Sequence, residues 1–233
     1  EGFLPIGNNS NKFTGKYDGG GYSISNLTIK RTSTQKVGLF GYTSGATIRN
    51  LGVTNDNITG NEWVGSLVGI ARSTTIDNCS ASGIVALSGI SYNSSTSIAG
   101  GLVGYAFCNS SSSCTGIIRN SYSTASVIDG GSGQTGGLVG FIYSSTILNS
   151  YSTGSVVATS SYRGGLVGYK HPSSTITDSF YDLETSGQSD TEKGTRKTTA
   201  EMKTEATFTN WDFDTIWNID NTSTINGGYP YLR

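Results

Sequence analysis

The sequence predicts an all-β chain folded as a right-handed parallel β-helix (β-solenoid) of about six coils. An N-terminal cap and a C-terminal cap containing a short helix should close it. Three observations carry this. A Gly-Leu-Val-Gly block recurs five times, starting at Gly38, Ser66, Gly101, Gly137 and Gly165. A Thr/Ser-Ile-x-Asn block ending at Asn26, Asn50, Asn78, Asn120 and Asn149 falls between these copies, with a weaker sixth copy ending at Asp178. The third is composition. The 233 residues include 33 Gly, 35 Ser and 30 Thr, whereas only 13% are charged. So little Leu, Glu and Lys argues against a helical bundle. Three prolines and no Gly at every third place exclude collagen. Regular apolar blocks argue against disorder, the rival reading of so polar a chain.

Each short strand has one face to bury and cannot bury it alone. Stacking coils about 4.8 Å apart hydrogen-bonds every strand to its neighbours and aligns Leu, Ile and Val into interior columns. Residues 1–22 are expected to form the N-terminal cap, 23–181 the solenoid and 182–233 the C-terminal cap. Within the first, Phe3 to Asp18-Gly19 should lead into Ile24. The Asn series Asn26, Asn50, Asn78, Asn120 and Asn149 reads as an inward-facing ladder. Asn tolerates the left-handed conformation, and its amide can bond to the same amide one coil away. Two polar insertions, 88–97 and 108–114, should be loops.

At the far end, Thr198-Thr199-Ala200-Glu201 fits a capping box for a short helix through Met202. Trp211, Phe213 and Trp217 are expected to seal the last coil.

Taken together, the Gly-Leu-Val-Gly blocks and the Ile147-to-Gly154 continuation (Ile-Leu-Asn-Ser-Tyr-Ser-Thr-Gly) resemble the GLUG motif repeats of bacterial and archaeal surface proteins. Residues 13–29 are similar to the opening coil, and 182–232 to the closing segment, of such arrays. The resemblance implies an extracellular, cell-surface setting, in adhesin-like proteins and in non-catalytic regions of immunoglobulin A peptidases. It transfers no catalytic residue.

Chemistry-bearing groups are sparse. Arg49, Asp77 and Arg119 share one outward position and read as a surface ion-pair ladder rather than a catalytic set. His171 is the single His, so a His-based metal site or a Ser-His-Asp triad has no material. No catalytic residue, metal or cofactor is therefore predicted. Cys108 and Cys114 bracket a serine loop and are expected to form a disulfide; Cys79 is expected to be a buried free thiol, with its pairing to a loop cysteine as the alternative. Asn93 and Asn109 are the candidate glycosylation sites.

The predicted function is a secreted or cell-surface structural and adhesive module, not an enzyme. Its partners would be glycans, surface proteins or like subunits. A net charge of −1 argues against nucleic acid. No apolar run is long enough to insert in a membrane. The absence of a basic and apolar leader predicts that one was removed or that this is a piece of a larger protein. The expected contact surface is Tyr122 and Tyr151, stacked on the outside with Thr124 and Thr153 nearby, together with Tyr92 and Asn93. Alternatives are a self-assembling filament or sheath subunit, an ice-binding protein and a glycan-processing enzyme.

Overall fold

The computed structural model describes residues 1–88, 97–109, 116–131 and 133–233. The chain winds as a parallel β-helix, one coil per repeat. A coil begins on a short return strand, such as Trp63–Gly65, and turns at Ser66-Leu67 into a motif strand, Val68–Arg72. It then turns at Ser73-Thr74 into a long, bent strand, Thr75–Leu87. Equivalent strands pair in parallel register from coil to coil. The return strands form one five-stranded sheet and the motif strands another. The bent strands join into a wide, curled sheet, 13-stranded among the described residues.

The interior columns follow from the repeat. Leu39, Leu67, Leu102, Leu138 and Leu166 stack at one corner, and Phe40, Val68, Val103, Val139 and Val167 beside them. Ile48, Ile76, Ile118 and Ile147 face them from the wide sheet. All are essentially solvent-free, so a thin apolar column supplies the core.

Glycine at the first motif position has a spatial reason. A Cβ on Gly101 would lie 2.1 Å from Ser123 Oγ, and one on Gly165 only 2.0 Å from the Tyr181 ring. Coil 3 carries Ser66 here, and the facing place, which pairs in register with Ser123, is Ala81. The larger residue on one wall is matched by a smaller one opposite.

The Asn expectation holds for the backbone and needs correction for the side chains. Asn50, Asn78, Asn120, Asn149 and Asp178 all take the left-handed conformation, with φ from 45° to 54°. They form a stacked corner at the rim, partly exposed, not an inward ladder. An amide-to-amide rung joins Asn78 Nδ2 to Asn50 Oδ1 at 3.3 Å. Elsewhere the amides turn to other acceptors: Asn50 to Asp18 and Asn120 to Asp77, and Asn149 to the Asn210 carbonyl. Asn26 does not belong to the series. Ile24 pairs with Val53, so Asn26 sits at the next corner, accepting from Asn55 Nδ2 at 2.5 Å.

The interior polar ladder is made of serine. The left-handed corner turns the residue after each Asn inward, giving a column of Leu51, Cys79, Ser121, Ser150 and Ser179. Each serine Oγ accepts from the backbone N–H one coil back and donates to the carbonyl two residues earlier, at 2.7–2.8 Å. Buried hydroxyls are thus satisfied twice. Cys79 is the buried free thiol expected, and burial pushes it up to about 12. Cys108 is disulfide-bonded; Cys114 lies outside the described residues.

Both ends differ from the expected caps. Parallel pairing already begins within residues 1–22: single parallel bridges join Ile6 to Phe40 and Phe13 to Thr43, and strand Lys16–Ser25 joins the wide sheet. At the far end the charged segment closes the last coil. Strand Thr195–Lys197 pairs with Phe180–Asp182. Lys193 Nζ donates to the carbonyls of Arg163 and Gly168, at 2.5 and 3.0 Å. A helix, α1 (Leu183–Ser186), is capped by Asp182, and α2 (Thr199–Met202) by the Thr198–Glu201 capping box.

The aromatic segment does something else. Phe208, Trp211 and Trp217 lie along the flank of the wide sheet, against Tyr122, Tyr151 and Phe180 of three successive coils. The reason is in the sheet: three large rings on its outer face need covering, and burial of each is worth about 1.5–3 kcal/mol.

Candidate functional site: a cleft beside the C-terminal segment

The second residue after the corner Asn or Asp points outward from the wide sheet. From coil 2 to coil 6 it is Gly52, Ser80, Tyr122, Tyr151 and Phe180, in continuous parallel register; Ser23 takes the place in coil 1. The column therefore changes from small and polar to large and aromatic between coils 3 and 4.

The aromatic half is sealed. Tyr122 and Tyr151 stack with centroids 5.0 Å apart and planes 4° apart. Tyr151 is fully buried, against the expectation of an outer contact residue. Its hydroxyl donates to the Pro230 carbonyl at 2.5 Å and accepts from Asn226 Nδ2 at 2.7 Å. Thr153 is also buried. The stacking was legible; the cover of distant aromatics was not. Asp182 ties the segment down, accepting from Tyr229 OH and Thr199 Oγ1, each at 2.7 Å. Those bonds and the α1 N–H groups hold its carboxyl below the usual range despite burial.

The small half leaves a gap. Thr215, Ile216, Leu232 and Arg233 pass over it at the height set by the rings. The resulting cleft of about 540 Å³ is floored by Ser23, Gly52 and Ser80 and bordered by Asp18, Asn50, Asn78 and Tyr122. A second opening of about 290 Å³ lies past Leu232 and shares Ser80 and Tyr122; Thr124 lines it. Of the predicted contact residues, the structure thus places Tyr122 at this cleft and Thr124 at the second opening. Tyr92 and Asn93 lie outside the described residues. Asn109 is exposed.

Two charged side chains, Asp18 and Arg233, border the cleft. Asp18 pairs with Arg49 at 2.9 Å. The Asn50 amide foremost, then the Gly20 N–H and Arg49, hold its carboxyl below the usual range. Asp77 pairs with Arg119 at 2.7 Å, so the predicted ion-pair column is present, with Asp18 as a further member. Arg233 is engaged by the carbonyls of Trp217 and Phe213. Asn78 Oδ1 is buried without a hydrogen-bond partner. The described residues hold no cluster of three or more His, Cys, Asp or Glu able to hold a metal.

A second outward column runs along the motif sheet: Tyr42, Ile70, Tyr105, Phe141 and Tyr169. Tyr105 and Phe141 stack at 4.8 Å. Tyr105 also stacks on Phe107, and Tyr169 meets Phe141 edge-on at 5.1 Å, so these rings brace the sheet. Burial pushes the Tyr105 phenol up to about 12.

Fold and flank together define a class: a parallel β-solenoid with a C-terminal segment folded back along one side. The GLUG motif family matches residues 131–157, the fifth coil. Among curated proteins, 111 residues are 41% identical to a candidate Gly-rich membrane protein of Evansella cellulosilytica, covering 45% of this chain and 13% of that one. A stretch of 86 residues is 45% identical to halomucin of Haloquadratum walsbyi, covering 36% of this chain and 1% of that one. The matched region is thus a small fraction of these relatives' length. Among solved structures, a candidate immunoglobulin A1 protease from Bacteroides ovatus superposes with a TM-score of 0.60 at 18% identity, over 93% of this chain and 76% of that one. That likeness shows a shared fold.

Proposed function

We propose that this chain is a non-catalytic structural and adhesive module displayed at the cell surface as part of a longer protein. The observation that carries the reading is the pair of relatives, a candidate membrane protein and a halomucin, each far longer than the region matched. The surface supports it. Outward acids and bases are consumed in pairs at Asp18–Arg49 and Asp77–Arg119. Polar and aromatic columns occupy the rest, and such a surface suits contacts with glycans, host proteins or neighbouring subunits. No helix of the described residues is long and apolar enough to cross a membrane, so the reading places attachment elsewhere in the protein.

The test is antibody against the 233-residue chain applied to intact source cells. Surface labelling without permeabilisation is expected, together with retention of cells on antibody-coated beads. Labelling that needs lysis would refute display. Hydrolysis of any glycan or peptide by the purified chain would refute the non-catalytic reading.

A further inference from the structure

We propose that the cleft floored by Ser23, Gly52 and Ser80 is a binding site for a neutral sugar, taken as the end or a short stretch of a glycan. The proposal deepens the adhesive reading above by naming the site and the ligand class.

The geometry points this way on three counts. First, the Tyr122–Tyr151 stack stops where it meets the cleft. One face of the Tyr122 ring is covered by Tyr151. The next rung carries Ser80, with no ring to continue the stack, and Tyr122 lines the cavity. Coil spacing of about 4.8 Å is also the spacing of stacked rings. A pyranose lying in the cleft would present its C–H face to Tyr122 as the missing rung.

Second, the remaining border supplies hydroxyl-binding groups in a polarised chain. Asn78 Nδ2 donates to Asn50 Oδ1, and Asn50 Nδ2 donates to Asp18. The chain begins at Asn78 Oδ1, a buried acceptor with no donor. A sugar hydroxyl is both donor and acceptor, so a small turn of the Asn78 amide would let one hydroxyl donate there while a neighbour accepts from Ser80. Leaving such an acceptor unpaired is unfavourable, and a bound hydroxyl would relieve it.

Third, the charge argues for a neutral ligand. Asp18 is matched by Arg49, and Arg233, whose charge the carbonyls do not cancel, has its Nε and Nη2 donors occupied by them, so most of the border left to a ligand is uncharged Ser, Asn and Tyr. A cavity of about 540 Å³ is of the size small-ligand sites show.

The experiment is an amide-detected NMR titration of the 233-residue chain with cellobiose, lactose, maltose and N,N′-diacetylchitobiose, and with glucuronic acid as a charged comparison. At least one neutral sugar is expected to shift the Asn50 and Asn78 side-chain amides and the Gly52 and Ser80 backbone amides. Glucuronic acid should not. Ser80→Tyr adds one rung to the stack and fills the cleft in the manner coils 4 and 5 already tolerate. It should weaken binding at least tenfold (about 1.4 kcal/mol) with Tm maintained. Tyr122→Leu, which removes the stacking face, should weaken binding likewise. No shift with any neutral sugar, shifts mapping to another face, or equal affinity in a folded Ser80→Tyr protein would overturn the proposal. Because binding is read on the isolated chain, failure here leaves surface display to its own test.

Discussion

Asp56 offers the sharpest test of how this solenoid holds together. It sits at a corner of the wide sheet, 4% exposed, where the register shifts between Val53 and Asp56. Neither carboxylate oxygen has a hydrogen-bond partner. The facing residue is Gly83 at φ 130°, where a Cβ would lie 2.6 Å from Asp56 Oδ1. Burial pushes the carboxyl from 3.8 up to about 7, with the nearby Ser66 hydroxyl and Ile84 N–H, neither at hydrogen-bond geometry, acting the other way.

The sign follows directly. Between those two values the native state holds a proton that the unfolded state has released. Stability therefore falls as pH rises from about 4 to about 7 and is level above that. An interval of about three pH units, at about 1.4 kcal/mol each, gives a penalty of up to about 4 kcal/mol. Asp56→Asn keeps the shape and removes the charge. It should match the parent near pH 4 and be more stable above pH 7 by up to that amount. Urea unfolding followed by circular dichroism at pH 4.5 and 8 reads the difference, since other carboxylates titrate equally in both proteins. If the variant's advantage does not grow between the two pH values, the buried, unpaired carboxylate is not what the structure says it is.

Other outcomes follow from the packing. Gly165→Ala should cost about 1–3 kcal/mol by overpacking against Tyr181, yet cost little in a Tyr181→Ala background. Equal cost in both, by thermal unfolding, would reject the paired-wall account. Tyr151→Phe removes a hydroxyl that joins Pro230 and Asn226, and should lower stability by about 1–2 kcal/mol. The loss should be accompanied by faster limited proteolysis of residues 203–233; unchanged proteolysis would mean the flank is held by ring packing alone. Cys79, fully buried and pushed up to about 12, should resist a thiol-labelling disulfide reagent in the folded protein and react after denaturation. Prompt labelling would contradict its interior place.

Much of the architecture was legible because a solenoid writes its fold in one dimension. Every coil repeats the same burial problem, so Leu67 and Leu102, or Ile76 and Ile118, announce a shared column by recurring at a fixed offset. The left-handed corner was legible for the same reason, since few residues besides Asn and Gly tolerate that backbone. Side-chain direction at the corner was misread. A reversal of backbone hand at Asn78 turns the following residue inward, and a repeat motif shows positions without showing which way they point.

The flank lay beyond the sequence for a different reason. The change from Gly52 and Ser80 to Tyr122, Tyr151 and Phe180 is plain in an aligned repeat. What it means depends on the piece of chain that covers it. Trp211 and Trp217 are some 60 or more residues from Tyr151, in a segment with no repeat to index it. The sequence by itself determined the coil, its core and its corners, because those contacts recur between neighbouring repeats. Only the tertiary structure decided that the aromatic tail lies along the side and not over the end. That choice depends on which buried surface and which hydrogen bonds, such as Tyr229 to Asp182, are available in three dimensions. It also left open the small-residue half of the same face as a cleft.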